Sequence, residues 1–124
     1  MKTERQIIFH RHYFIDFYLA QTAKIQEKIE YVLRVIKTVD RVPEKFLKHL
    51  KGTDGLYEIR VEFESNIYRI FCCFDQGTLV VLFNSFKKKT QKTPKQELVL
   101  AKKLKNEYFN LKGRHHEKER NKKS

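Results

Sequence analysis

The stretch from Gly55 to Lys89, GLYEIRVEFESNIYRIFCCFDQGTLVVLFNSFKKK, constrains this chain more than any other. Three runs rich in Ile, Val, Phe and Tyr cover Tyr57–Phe63, Ile67–Phe74 and Leu79–Ser85. Two polar breaks separate them, Glu64-Ser65-Asn66 and Asp75-Gln76-Gly77, with the residue types that tight turns select. The stretch therefore reads as an antiparallel meander. Strand alternation puts Tyr57, Ile59, Val61 and Phe63 on a core face, and Glu58, Arg60 and Glu62 on a more open one. The run Ile67–Phe74 is apolar on both faces except at Arg69, the pattern of a central strand covered on both sides. A fixed positive charge there is costly unless it is paired. Arg69 is expected either to pair across strands with Glu58 or Glu62, or to line a polar groove.

The flanking segments supply the other layers. Gln6–Phe9 reads as a short strand, and Phe14, Phe17 and Tyr18 fall at helical spacing up to about Leu19. Thr22 is placed to cap a second helix, in which Ile25, Ile29, Val32, Leu33, Ile36 and Val39 recur at steps of three and four. The two form a helical hairpin able to lie across a sheet. Pro43 ends the long helix. Glu44–Leu50 is expected to form one or two helical turns, and a polar loop, Lys51–Gly55, leads into the meander. Thr93, Pro94 and Gln96 signal the start of a last helix with Leu98, Ala101, Leu104, Tyr108 and Leu111 on its apolar stripe, stopping at Gly113. The order β-α-α-β-β-β-α defines an α+β domain over residues 1–111. Residues 112–124 lack apolar periodicity and read as a basic disordered tail.

Charge narrows the partners. Lys and Arg number 27 against 15 Asp and Glu in 124 residues, a net +12. The tail holds six Lys/Arg and two Glu, a net +4, which leaves +8 (12 − 4) on the rest. Such a field attracts polyanions. No apolar run approaches the roughly 18–20 residues of a membrane span, and the charged N-terminus lacks a secretion signal, so a cytoplasmic location is expected. Cys72 and Cys73 are adjacent in one strand and point to opposite faces, as buried apolar residues of a reducing compartment rather than a disulfide or metal pair. The five histidines show no metal-ligand spacing, and neither a Gly-rich phosphate loop nor a nucleophile elbow occurs.

The strongest candidate for chemistry is Phe86-Lys87-Lys88-Lys89-Thr90-Gln91-Lys92, four lysines between the last strand and a helix N-terminus. With Arg60 and Arg69 on the sheet, these lysines can form a phosphate-binding groove, with Phe83, Phe86 and Tyr68 as aromatic neighbours for bases. A solvated loop is the ordinary fate of such a charge run.

Three segments, LKGTDGLYEIRVEF, IYRIFCCF and LFNSFKKKTQKTPKQELVLAKKLKNEY, resemble in this order the RelE/ParE superfamily of toxins, in its phage-derived HigB-like branch. The resemblance spans roughly Leu47 to Tyr108. It implies a twisted, mainly antiparallel sheet with an N-terminal helical hairpin and a C-terminal helix. It also implies a type II toxin: a metal-independent endoribonuclease acting on mRNA in the ribosomal A site, without a cofactor, silenced by a cognate antitoxin of helix-turn-helix type. By motif, Arg60, Arg69, Lys87 and Lys88 become the catalytic cations. Lys89, Lys92, Tyr68, Phe86 and Asn84 become RNA contacts. The neighbouring ribose 2′-OH attacks phosphorus, and cations stabilise the transition state. Asn84 stands where many HigB-like relatives carry His, and Asn does not act as an acid or base. A lysine of lowered pKa among Lys87–Lys89 then becomes the proton carrier, with Tyr68 or Tyr108 next in line. Two other functions fit a basic α+β domain, a ParE-like non-enzymatic inhibitor of DNA gyrase and an RNA-binding module without catalysis.

Overall fold

The computed structural model describes residues 4–88 and 93–122, with side chains in the last helix as far as Lys112. The elements are β1 (Gln6–Phe9), α1 (Tyr13–Leu19), α2 (Ala23–Thr38), β2 (Leu47–His49), β3 (Tyr57–Phe63), β4 (Asn66–Asp75), β5 (Leu79–Lys88) and α3 (Lys95–Lys122). Among the described residues the fold is α+β, a five-stranded mixed sheet with three helices. Strand order is β1-β5-β4-β3-β2, antiparallel throughout except for the parallel pair β1–β5.

Local chemistry accounts for most boundaries. Thr22 caps α2, its hydroxyl accepting the Ile25 N–H at 3.4 Å. Gly77 and Gln76 take positive φ in the β4–β5 turn, and Glu64 and Ser65 do so between β3 and β4. These are left-handed conformations, demanded by the two-residue turn at Glu64-Ser65 and used in the three-residue turn that Gln76 and Gly77 begin.

Two differences from the sequence expectation stand out. Leu47–His49 is a strand, not a helical turn; it pairs with β3 in the register Leu47↔Ile59, Lys48↔Glu58 and His49↔Tyr57. An open edge of β3 offered backbone partners that a two-turn helix after Pro43 lacks. Gly113 does not stop α3. It avoids positive φ, and the backbone helix continues to Lys122 across most of the segment read as a disordered tail. The last two residues lie outside those described.

The sheet is covered on both faces. The α1–α2 hairpin packs Phe14, Ile29, Val32 and Ile36 on Ile59, Val61, Tyr68, Ile70, Cys72, Val80 and Leu82. On the opposite face, α3 packs Ala101 and Leu104 on Leu56, Phe71, Cys73, Val81 and Phe83. Each large apolar side chain buried this way contributes ~1.5–3 kcal/mol. Polar contacts then fix α3 along its length. Glu107 pairs with His10 Nε2 at 2.8 Å and accepts Arg11 Nε at 2.7 Å. These bonds hold the Glu107 carboxyl below its ordinary pKa, Arg11 more than His10. Tyr108 and Lys112 both donate to the buried Asp75 at the end of β4, at 2.7 Å and 2.8–2.9 Å.

A β-bulge lies between β4 and β5. Ile70 opposes Ser85 and Cys72 opposes Leu82, so two residues of β5, Phe83 and Asn84, face the single Phe71. The extra residue inverts the alternation of β5. Before the bulge, Val81 and Phe83 face α3. Beyond it, Asn84, Phe86 and Lys88 do. That inversion decides which lysine joins the site.

Candidate functional site

The α3-facing side of the sheet, beyond the N-terminal end of α3, carries a cluster of charges. Arg60 and Arg69 oppose each other directly across β3 and β4. Glu58, two residues before Arg60, is fully buried and accepts a hydrogen bond from an Arg69 terminal nitrogen. Arg60 Nε lies 3.8 Å from the same Glu58 oxygen, an ion pair too long for a hydrogen bond. Glu58 belongs to the face read from sequence as open; α3 and its apolar cluster close that face. Like charges placed opposite each other destabilise a sheet, and the carboxylate between them offsets this.

One carboxylate does not satisfy two guanidiniums. Arg60 Nε and Arg69 Nε are buried without a hydrogen-bond partner among the described residues, as is the second oxygen of Glu58. Unpaired buried donors are rare and costly, and an anionic oxygen bound here would satisfy them. Lys88 joins from β5: its register partner Ile67 shares a face with Arg69. Lys48, opposite Glu58 on β2, completes the set. Burial lowers the Lys88 pKa first, and repulsion by Arg69, Arg60 and Lys48 adds to this, against the attraction of Glu58. A lysine so placed gives up its proton more readily than a solvated one.

The structure thus brings Arg60, Arg69 and Lys88 together and separates the other expected residues. Lys87 is exposed and opposes Tyr68, which puts it on the α1–α2 face. Tyr68 is 4% exposed there, its ring 6.1 Å from Phe17. It is core, away from the arginine face. Phe86 opposes Arg69 and leans on Phe71 at 5.3 Å, but it is buried with Phe71 in the apolar cluster under α3 and offers no open ring. Phe83 is fully buried. Asn84 is 2% exposed, and its amide donates to the Glu97 carbonyl at 2.9 Å and the Glu97 carboxylate at 2.8 Å. It pins the first turn of α3 to β5. Tyr108 is spent on Asp75, and burial, then that bond, pushes its pKa up to about 12. Asp75 lies six residues along β4 from Arg69, roughly 20 Å away. Lys89 and Lys92 lie outside the described residues.

Sequence reading missed Lys48, because its segment was assigned to a helix. It weighed Glu58 only as one possible partner of Arg69. The signal for Glu58 was its i, i+2 relation to Arg60, which puts both on one face of a strand.

A twisted sheet with helices on both sides and a basic, carboxylate-centred face is suited to an anionic ligand. A family model matches residues 16–106 of the chain. The chain belongs to the phage-derived Gp49-like protein family. That family is of the RelE/HigB-like toxin type, so this is a toxin-like protein. No curated protein matches the chain significantly. No helix among the described residues is long and apolar enough to cross a membrane.

Proposed function

We propose that this protein is the toxin of a type II toxin–antitoxin pair, a cytoplasmic, ribosome-dependent endoribonuclease of the HigB-like branch. The observation that carries the reading is the convergence of Arg60, Arg69 and Lys88 around Glu58, with both arginine Nε donors unpartnered. In this reading the two guanidiniums hold the non-bridging oxygens of the scissile phosphate. The 2′-OH attacks phosphorus and loses its proton as the P–O5′ bond breaks. A 2′,3′-cyclic phosphate remains, and the leaving 5′ oxygen gains a proton. Fixed cations stabilise the charge that grows on phosphorus oxygens in the transition state. Lys88 is the proton carrier: it stands on the arginine face, where burial first and Arg69 next lower its pKa. Glu58 is a positioning residue that orients Arg69. The ribosome supplies the remaining substrate geometry. A helix-turn-helix antitoxin is the expected silencing partner.

Translating ribosomes supplied with a defined mRNA test this. Wild-type protein should produce new 5′-OH ends, and Arg60→Gln and Lys88→Gln should each reduce them strongly. Intact message alongside blocked gyrase-dependent supercoiling would overturn the reading in favour of a ParE-like inhibitor. Message that is bound but uncut would leave an RNA-binding module.

A further inference from the structure

We infer that the outer edge of β1 is a docking groove for an extended acidic peptide strand of a partner protein. This edge lies at the far side of the sheet from β2, and the inference stands whether or not the protein cleaves RNA. Among the described residues β1 is an edge strand, paired with β5 alone. The N–H of Gln6 donates to Thr78 and that of His10 to Leu82, so the even-numbered residues bond inward. Parallel pairing uses alternate residues of a strand, which turns the backbone of Ile7 and Phe9 outward. The Arg5 N–H follows the same parity and points outward, where it donates to the Lys37 carbonyl at 2.9 Å. Past that anchor, no described strand covers the edge.

The open edge forms one wall of a groove of about 280 Å³. Ile7 and Phe9 line it on one side, and Leu33, Arg34 and Lys37 of α2 on the other. Phe9 is 47% exposed and stacks on Phe14 at 5.2 Å, a large apolar surface held rigid. The groove thus offers backbone donors and acceptors, apolar contacts on its floor and two exposed cations on its rim. Glu30 also lines it, but interacts with Tyr18, raising the tyrosine pKa after burial does. Peptides that add a strand to a sheet edge use these features, with main-chain bonds for affinity and alternate side chains for specificity. Charge decides between occupants. A second copy would bring another Arg34–Lys37 rim and another +12 chain against the first, whereas an acidic strand is attracted.

The test uses a fluorescent ten-residue peptide of alternating valine and glutamate, its N-methylated form, which cannot pair as a strand, and a valine–lysine counterpart. Fluorescence anisotropy should show the acidic peptide binding the full chain roughly tenfold or more tightly than either control. Hydrogen exchange should slow at the Ile7 and Phe9 amides. Arg34→Glu with Lys37→Glu should reverse the preference for the acidic peptide. Both side chains are exposed, so folding is spared. Ile7→Pro, which removes only an outward N–H, should weaken binding while leaving the β5 pairing in place. Equal binding of the N-methylated peptide, or protection confined to the Arg60–Arg69 face, would overturn the inference. So would a dimer in sedimentation that Ile7→Pro dissolves, because a second copy would then be the occupant.

Discussion

Arg60 and Arg69 stand directly opposite each other across β3 and β4, and one buried carboxylate, Glu58, serves both. The pair is unequal. Arg69 is 6% exposed and hydrogen-bonded to Glu58, whereas Arg60 is half-buried and only near it. Loss of activity on removing Arg69 therefore confounds structure with chemistry, and Arg60 separates them.

Arg69→Ala should leave the buried Glu58 carboxylate without its hydrogen-bonded partner and cost about 3–5 kcal/mol of stability. Arg60→Ala should cost about 1 kcal/mol or less, since its ion pair is long and no hydrogen bond to Glu58 is lost. Urea midpoints measure both costs. Growth inhibition should nevertheless fall strongly with Arg60→Ala. Full toxicity in that variant would remove Arg60 from the phosphate site.

Lys88→Gln should stabilise the protein at neutral pH while abolishing cleavage. The folded state holds the Lys88 proton less tightly than the unfolded state, so unfolded chains bind more protons between the lowered value and 10.5. Stability rises with pH across that window, and below it the charged lysine is a net burden. The advantage of the variant should shrink as pH approaches 10.5, read by urea denaturation across pH. Lys87→Gln, on the other face, should leave cleavage much closer to wild type.

Asn84→His should not improve cleavage, although it installs an acid–base group. The side chain is 2% exposed and holds the first turn of α3 through two bonds to Glu97. Losing them should cost about 1–3 kcal/mol, seen as a lowered thermal midpoint in Asn84→Ala and Asn84→His alike. A faster nuclease from Asn84→His would show that this residue reaches the substrate.

The contact of Asp75 with Lys112 and Tyr108 should make the α3 anchor acid-sensitive. The Lys112 bond, then the Tyr108 bond, lowers the Asp75 pKa below 3.8, against the opposite effect of burial. Its contribution is therefore present above pH 3.8 and is lost as pH falls through the lowered value. Asp75→Asn should destabilise the protein at pH 6, and the difference from wild type should narrow as pH falls below 3.8 and close below the lowered value. Circular dichroism melts over that range check it.

Much of this was legible in the chain. The meander, the helical hairpin with its Thr22 cap and the apolar stripe of α3 follow from periodicities of two and 3.6, which are local properties of the backbone. The near-continuous apolar run of β4 marked a strand covered on both sides, and pairing with Glu58 was one of the two roles open to Arg69. The site was less legible, because membership in it depends on which face a residue occupies. Lys87 and Lys88 are strand neighbours and so face opposite sides, but only the one-residue bulge opposite Phe71 decides that Lys88, and not Lys87, shares a face with Arg69. Tyr68 and Phe86 are both strand aromatics; one lies beneath the hairpin and the other beside Arg69. Lys48 entered only because β3 had an edge to which a short strand could add. Sequence by itself determined most of the elements and most of the residues able to bind an anion. Only the tertiary structure decided which of them meet, because strand pairing and layer packing assign faces between segments far apart in the chain.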